Sequence, residues 1–196
     1  MMKHIAIIQG HPDTSSMRFC RAFASAYAES ATLAGHVVIE TIDVAKMDFP
    51  WLRTKDEFEK GVVPQSILAA QETIRRADHL LIVFPLWLGD MPALLKAFFE
   101  QTMRPGFSFG AGGGRGLPAK LLKGKSARVV ITMGMPAFFY RFYFGAHGLK
   151  NLKRNILAFC GVAPVRHTLI GMIEGKDPKV RLKWLALARE LGRKGV

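Results

Sequence analysis

The stretch Lys3-His4-Ile5-Ala6-Ile7-Ile8-Gln9-Gly10-His11-Pro12-Asp13-Thr14-Ser15-Ser16-Met17-Arg18 decides the fold. Its first half is a short apolar run of the kind that makes a buried strand. Its second half is built of turn formers and hydroxyls. Beyond it Phe19, Ala22, Phe23, Ala26, Tyr27 and Leu33 recur at a spacing of about three and four, the period of an amphipathic helix. Strand, polar loop and helix in that order turn unpaired backbone N–H groups and the positive end of a helix dipole into one loop, which suits a phosphate. Thr14, Ser15 and Ser16 add hydroxyls, and Arg18 adds a fixed positive charge. The same pattern also suits an ordinary cap, with Ser15 or Ser16 closing the helix N-terminus.

Outward from this stretch, strand and helix patterns alternate. Gly35 is placed to end the first helix, and Val37 to Asp43 reads as a second strand. Residues 44–65 read as irregular, with a short helix near Lys55 to Lys60. Ser66 to Ala77 is helical, with Ile67, Leu68 and Ile74 on one face. His79 to Phe84 is continuously apolar, as a strand buried on both faces must be. Met91-Pro92 opens a helix that runs to about Met103, with proline in its first turn. Pro105 to Pro118 is glycine-rich and reads as a flexible connection. Ala127 to Met133 is a fourth strand, and Val165 to Ile170 a fifth. Lys150 to Cys160, capped by Gly161, and Pro178 to Leu191 are the remaining helices. Five strands alternating with helices predict an α/β fold: a mostly parallel, doubly covered sheet in a single domain over residues 1–196.

Composition bounds the function. The chain has 196 residues, 49% hydrophobic and 22% charged, the balance of a soluble globular protein. No apolar run approaches the roughly 20 residues needed to cross a bilayer, and no signal peptide is evident, so a cytoplasmic protein without a membrane span is expected. Cys20 and Cys160 sit in apolar helical patterns and read as packed thiols, with no metal motif and no disulfide framework. The net charge of +13 favours anionic ligands, although most of these cations read as solvated helix faces. No zinc-finger spacing or basic–aromatic nucleic-acid signature is present, so no nucleic-acid partner is expected. Gly124-Lys125-Ser126 resembles the end of a P-loop. It lacks the earlier glycine, since position 119 is Ala119, and it precedes a strand where a P-loop follows one.

In open parallel sheets ligands bind beyond the carboxyl ends of the strands. The loops at issue are Gly10 to Arg18, Pro85 to Asp90, and Met133 to Met135 with the aromatic run that follows. That run holds Phe138, Phe139, Tyr140, Phe142, Tyr143 and Phe144, which fits neither a strand nor a one-faced helix. It reads as the wall of a flat-ligand pocket or as an interface with another subunit. The first loop offers phosphate donors, the second a planar apolar wall at Leu86 and Trp87, the third glycine and small backbone groups. A cofactor with an anionic tail and a flat heteroaromatic head satisfies all three. Flavin fits better than a nicotinamide dinucleotide alone, because His11 and Pro12 follow Gly10 where a dinucleotide loop needs further glycines.

The motifs Gly10-His11-Pro12 with Ser15-Ser16, Phe84-Pro85-Leu86-Trp87, Pro92-Ala93-Leu94-Leu95-Lys96, Pro105-Gly106-Phe107, Thr132-Met133-Gly134 and Gly145-Ala146-His147-Gly148 fall along nearly the whole chain. In that order they resemble the flavodoxin-like NAD(P)H:quinone oxidoreductase family. That family includes quinone reductases, modulator-of-drug-activity proteins and ancillary subunits of potassium efflux systems. The resemblance implies a five-stranded sheet of order 2-1-3-4-5, FMN or FAD as flavin, and NAD(P)H as donor. It also implies ping-pong hydride transfer through the flavin N5 to a quinone-like acceptor, and a homodimer. His11, Ser16, Met17 and Arg18 match the loop around the flavin phosphate. Pro85, Leu86, Trp87 and Leu88 match the segment along the isoalloxazine ring, where backbone N–H groups are expected to face N5. Thr132, Met133, Gly134 and Met135 match the pyrimidine end of the ring, although some relatives carry two glycines at Gly134-Met135. His147, with Tyr140 or Tyr143, matches residues proposed to stabilise charge on the flavin. The alternatives are an electron-transfer flavodoxin, which the basic charge opposes, and a regulatory flavoprotein with a peripheral membrane partner.

Overall fold

The structure, a computed structural model, describes residues 1–110, 116–175 and 177–196. The centre of the expected glycine-rich connection, Gly112 to Gly114, lies outside the described residues. Seven strands are present among the described residues: β1 (His4–Gln9), β2 (Val37–Asp43), β3 (His79–Pro85), β4 (Phe109–Gly110), β5 (Ala119–Lys120), β6 (Ser126–Thr132) and β7 (Val165–Ile170). Five of them form one sheet in the order β2-β1-β3-β6-β7, every neighbouring pair parallel. The doubly wound order expected from the resemblance is therefore present. The short antiparallel β4–β5 ladder, which the glycine-rich sequence does not announce, stands apart.

The central strands are buried on both faces, and their alternate residues feed two cores. Ala6, Ile8, Leu80, Ile82 and Phe84 pack into one with Ile67, Leu95 and Leu152. Ile5, Ile7, Leu81 and Val83 pack into the other with Phe23, Tyr27 and Leu191. The first core is covered by α3 (Gln65–Arg76), α4 (Ala93–Thr102) and the helix after β6. The second is covered by α1 (Phe19–Leu33) and α6 (Pro178–Lys194). A strand whose odd and even side chains are both enclosed cannot alternate in polarity, which is why His79 to Phe84 reads as a continuous apolar run. Helix α2 (Lys55–Lys60) is held by Thr54, whose Oγ1 accepts from the Glu57 N–H at 3.1 Å.

Among the described residues two segments are π-helical. Phe139–Tyr143 is π-helical: the Phe144 N–H reaches back five residues to the Phe139 carbonyl at 3.0 Å. The widened turn explains why the aromatic run fits no helical face. The helix expected over Lys150 to Cys160 begins earlier, as α5 (His147–Lys150), and continues as a π-helical stretch over Asn151–Ala158. The lysine of the P-loop look-alike has a structural role. Lys125 Nζ donates to the Arg75 and Ala77 carbonyls at 2.6 and 2.7 Å, satisfying the C-terminal end of α3.

Candidate active site

The first loop is wired internally. His11 Nδ1 accepts from the Asp13 N–H at 3.0 Å, Asp13 Oδ1 accepts from the Ser15 N–H at 2.8 Å, and Ser15 Oγ accepts from the Met17 N–H at 3.3 Å. Arg18 Nε donates to Asp13 Oδ2 at 2.6 Å. Arg21 on α1 anchors the loop from below, donating to the Asp13 carbonyl at 3.1 Å and as a fork to Asp43 at 2.7 and 3.0 Å. The Ser15 N–H and then the Arg18 guanidinium hold the Asp13 carboxyl below its usual range. Burial, reinforced by the Arg18 charge, lowers the His11 pKa, so the imidazole is neutral at neutral pH. With Nδ1 accepting, the proton of that neutral ring sits on Nε2. Among the described residues the N–H groups of Thr14 and Ser16 make no internal hydrogen bond.

The second loop is a tight turn. The Trp87 N–H donates to the Asp90 carbonyl at 2.9 Å, and the Asp90 N–H returns to the Trp87 carbonyl at 3.0 Å. Leu88 and Gly89 between them have φ of 47° and 82°, the left-handed pair of a type I′ turn. Glycine takes that conformation freely, whereas Leu88 holds it at a steric cost, with its side chain fully exposed. The Leu86 N–H is also paired, to the Thr132 carbonyl at 2.8 Å. Of the amides expected to face a flavin ring, those of Leu86 and Trp87 are thus already paired inside the protein. The Trp87 ring leans edge-on toward His11, centroids 6.5 Å apart, joining the first loop to the second.

The third loop is zipped to the segment after β7. Met133 N–H donates to the Ile170 carbonyl, Ile173 N–H to Met133, and Met172 N–H to Met135, at 2.8, 3.2 and 3.2 Å. The three non-glycine residues of left-handed backbone among the described residues are Leu88, Ala146 and Met172. All three sit in these loops or against them, so local strain gathers at this end of the sheet.

Together the three loops enclose a cleft of about 670 Å³. His11, Met17, Arg18, Pro85, Leu86, Trp87, Thr132, Met133 and Gly134 line it. Of the other expected cofactor residues, Ser16 and Met135 flank it and Leu88 stands at the turn tip. The sequence reading missed Asp13, Phe19, Cys20, Ile173, Glu174 and Arg181, which also line the cleft. Arg181 lies over the Phe19 ring at 5.6 Å, which supplies a second guanidinium from α6. Glu174 stands beside Gly134, where a Cβ would fall 3.0 Å from Glu174 Oε2. Glu174 is the first carboxylate after Glu100, a gap visible in the sequence; Arg181 carried no such mark. Cys20 Sγ lies 3.2 Å from Thr132 Oγ1, and burial pushes this thiol up to about 11, so it is a neutral floor group. Among the described residues no cluster of His, Cys, Asp and Glu is placed to hold a metal ion.

Tyr140, Tyr143 and His147 do not line the cleft. Tyr140 is buried, its hydroxyl accepting from the Leu149 N–H at 3.0 Å, so it ties the aromatic turn to α5. Tyr143 is 78% exposed, and His147 is exposed one residue before Gly148. Gly148 packs directly on the second loop: a Cβ there would fall 2.6 Å from Asp90 Oδ1 and 2.8 Å from the Gly89 carbonyl. The segment carrying His147 is thereby docked against the turn that follows Trp87.

The cleft fits a flavin. Guanidiniums and open amides at the first loop match an anionic tail, and the Leu86, Trp87 and Met133 wall matches a flat ring. Comparison with known proteins places the chain among relatives of the same fold. A Haemophilus influenzae protein named as an uncharacterised NAD(P)H oxidoreductase is 29% identical over 194 residues, covering 96% of this chain and 93% of its own. NAD(P)H dehydrogenase [quinone] 1 of Rattus norvegicus is 23% identical, covering 94% of this chain and 74% of its own. The solved NAD(P)H:quinone oxidoreductase of Methanothermobacter marburgensis superposes with a TM-score of 0.79 at 26% identity, covering 98% of this chain and 96% of that one. The strand order, the cleft at the carboxyl edge and a family-model match over residues 3–189 agree: this chain belongs to the family of the flavodoxin-like fold.

Proposed function

We propose that the protein is a flavin-dependent NAD(P)H:quinone oxidoreductase working by ping-pong transfer. The observation that carries this is the single cleft in which Arg18 and Arg181 meet the Leu86, Trp87 and Met133 wall. The names of the relatives support the donor and the acceptor class. Flavin, when bound, would supply the hydride-transfer chemistry between donor and acceptor. The chain's own residues bind, orient and neutralise. Arg18, held in place by Asp13, and the Thr14 and Ser16 amides take the phosphate. Arg181 offers a second cation, which favours a diphosphate and so FAD over FMN. Trp87 and Leu86 hold the ring plane, while the tightly paired turn fixes their position. Neutral His11 donates from Nε2.

His147 is the group proposed to stabilise negative charge or move a proton at the reacting edge. Tyr143, exposed, is its proposed partner, because the Tyr140 hydroxyl is engaged with Leu149. A homodimer is proposed in which a second copy covers exposed Trp87, Leu88 and Met17 at the cleft mouth. The test is steady-state NAD(P)H oxidation with a soluble quinone after reconstitution with FMN or FAD. Parallel double-reciprocal plots are expected. Turnover that is independent of added or bound flavin would refute the proposal.

A further inference from the structure

We propose that the β7 edge of the molecule docks on an anionic membrane surface. The sequence contains no Asp or Glu between Glu100 and Glu174. That length forms β5, β6, β7, the aromatic turn and α5. None of the ion pairs among the described residues involves a cation from it. Several of its cations stand at the edge strand and beside it, among them Arg128, Arg141, Lys153 and Arg166. Lys153 Nζ lies 3.4 Å from His167 Nδ1, and Arg141 and His167 line one crevice of about 350 Å³. The charges of Lys153, Arg141 and Arg128 all bear on His167, and no carboxylate does.

The walls of the same crevice are Phe138 and Phe142, which are 57% and 74% exposed. Exposed phenyl rings among unpaired cations match the boundary between headgroups and acyl chains. Rings enter the apolar side while guanidinium and ammonium groups reach the phosphates. The segment that lines the cleft at Met133 and Gly134 continues directly into this crevice at Ala137 and Phe138, so the two features share one loop.

Charge decides against a second copy as the occupant. A two-fold interface brings a patch to itself, so here cations would face cations with no carboxylate to separate them. A polynucleotide is disfavoured, because one face of Phe138 is already taken by Phe139 at 4.3 Å and one face of Phe142 by Arg141 at 5.3 Å, which reduces the stacking surface for bases.

The experiment is co-flotation of the full chain with phosphatidylserine–phosphatidylcholine vesicles and with phosphatidylcholine vesicles alone. Binding to the anionic vesicles only, weakening as salt rises, is expected. The pairs Arg141→Gln/Lys153→Gln and Phe138→Ser/Phe142→Ser should each lower it roughly ten-fold or more, with NAD(P)H oxidation in solution unchanged. If the aromatic pair does not fold, the charge pair, which alters no buried side chain, decides alone. Absence of binding to anionic vesicles, or binding that survives the charge pair, overturns the proposal. So does conversion of a dimer to a monomer by the aromatic pair, which would assign the face to a second copy. Loss of single-stranded oligonucleotide binding with vesicle binding intact would likewise overturn it.

Discussion

His79, at the first position of β3, is enclosed, with Nδ1 2.8 Å from Ser126 Oγ and Nε2 without a partner among the described residues. Burial, then the charges of Lys3 and Arg128, pushes its pKa down to about 3. The unfolded chain takes up this proton near the ordinary value of about 6.5. Between those values the unfolded state holds a proton that the folded state lacks. Stability therefore falls as pH drops through the window, by at most about 1.4 kcal/mol per pH unit, and levels off below it. Urea titrations of the wild type and of His79→Gln should show a weaker acid dependence in the variant; identical dependence would contradict this. At the site, His147→Ala should slow flavin reduction about ten- to hundred-fold in stopped flow while flavin stays bound. Tyr143→Phe should slow the same step. Tyr140→Phe should instead lower thermal stability by about 1 kcal/mol with little change in rate. The reverse pattern would exchange the two tyrosines' roles. His11, Arg18, Trp87 and Met133 were legible as cleft residues because each lies in a loop that leaves the carboxyl end of a strand. Arg181 was not, since it reaches the cleft by tertiary packing of α6.

Among the elements, the turn from Trp87 to Asp90 and the start of α5 behave as one unit, because Gly148 lies against the Asp90 and Gly89 backbone. Gly148→Ala places a methyl within van der Waals radii of main-chain atoms that cannot rotate away. The turn must shift, and Trp87 with it. Flavin affinity should drop about ten-fold or more, measured by fluorescence quenching on titration, while the fold is retained. Unchanged affinity would separate the Gly145 to Gly148 motif from the ring wall. Arg104 clasps another element. Its guanidinium donates to the carbonyls of Phe58 and Gly61 at 2.9 and 2.6 Å and closes the C-terminal end of α2. Arg104→Met should cost roughly 1–3 kcal/mol in urea denaturation, since partly buried carbonyls lose a charged donor. Strand and helix positions were readable from period and composition, as in the unbroken apolar run of β3. The π-helical turn at Phe139–Tyr143 was not, because its five-residue reach leaves no regular apolar face to recognise.

For the whole molecule, every connection within the order β2-β1-β3-β6-β7 is long enough for a parallel crossover, so alternation of strand and helix was sufficient to expect a parallel sheet, while the order itself came from the family resemblance. The switch point between β1 and β3 then puts the loops after β1, β3 and β6 at one end, where the cleft lies. What composition hid was distribution. A net charge of +13 says nothing of the long carboxylate-free length that sets several of its cations along the β7 edge. The direct measurement is the visible spectrum of the purified protein, reconstituted with flavin where necessary, before and after anaerobic addition of NADH or NADPH. The account predicts flavin bands near ~370 and ~450 nm that bleach on addition of the nucleotide. A protein that binds neither FMN nor FAD, or a bound flavin that neither nucleotide reduces, would contradict it.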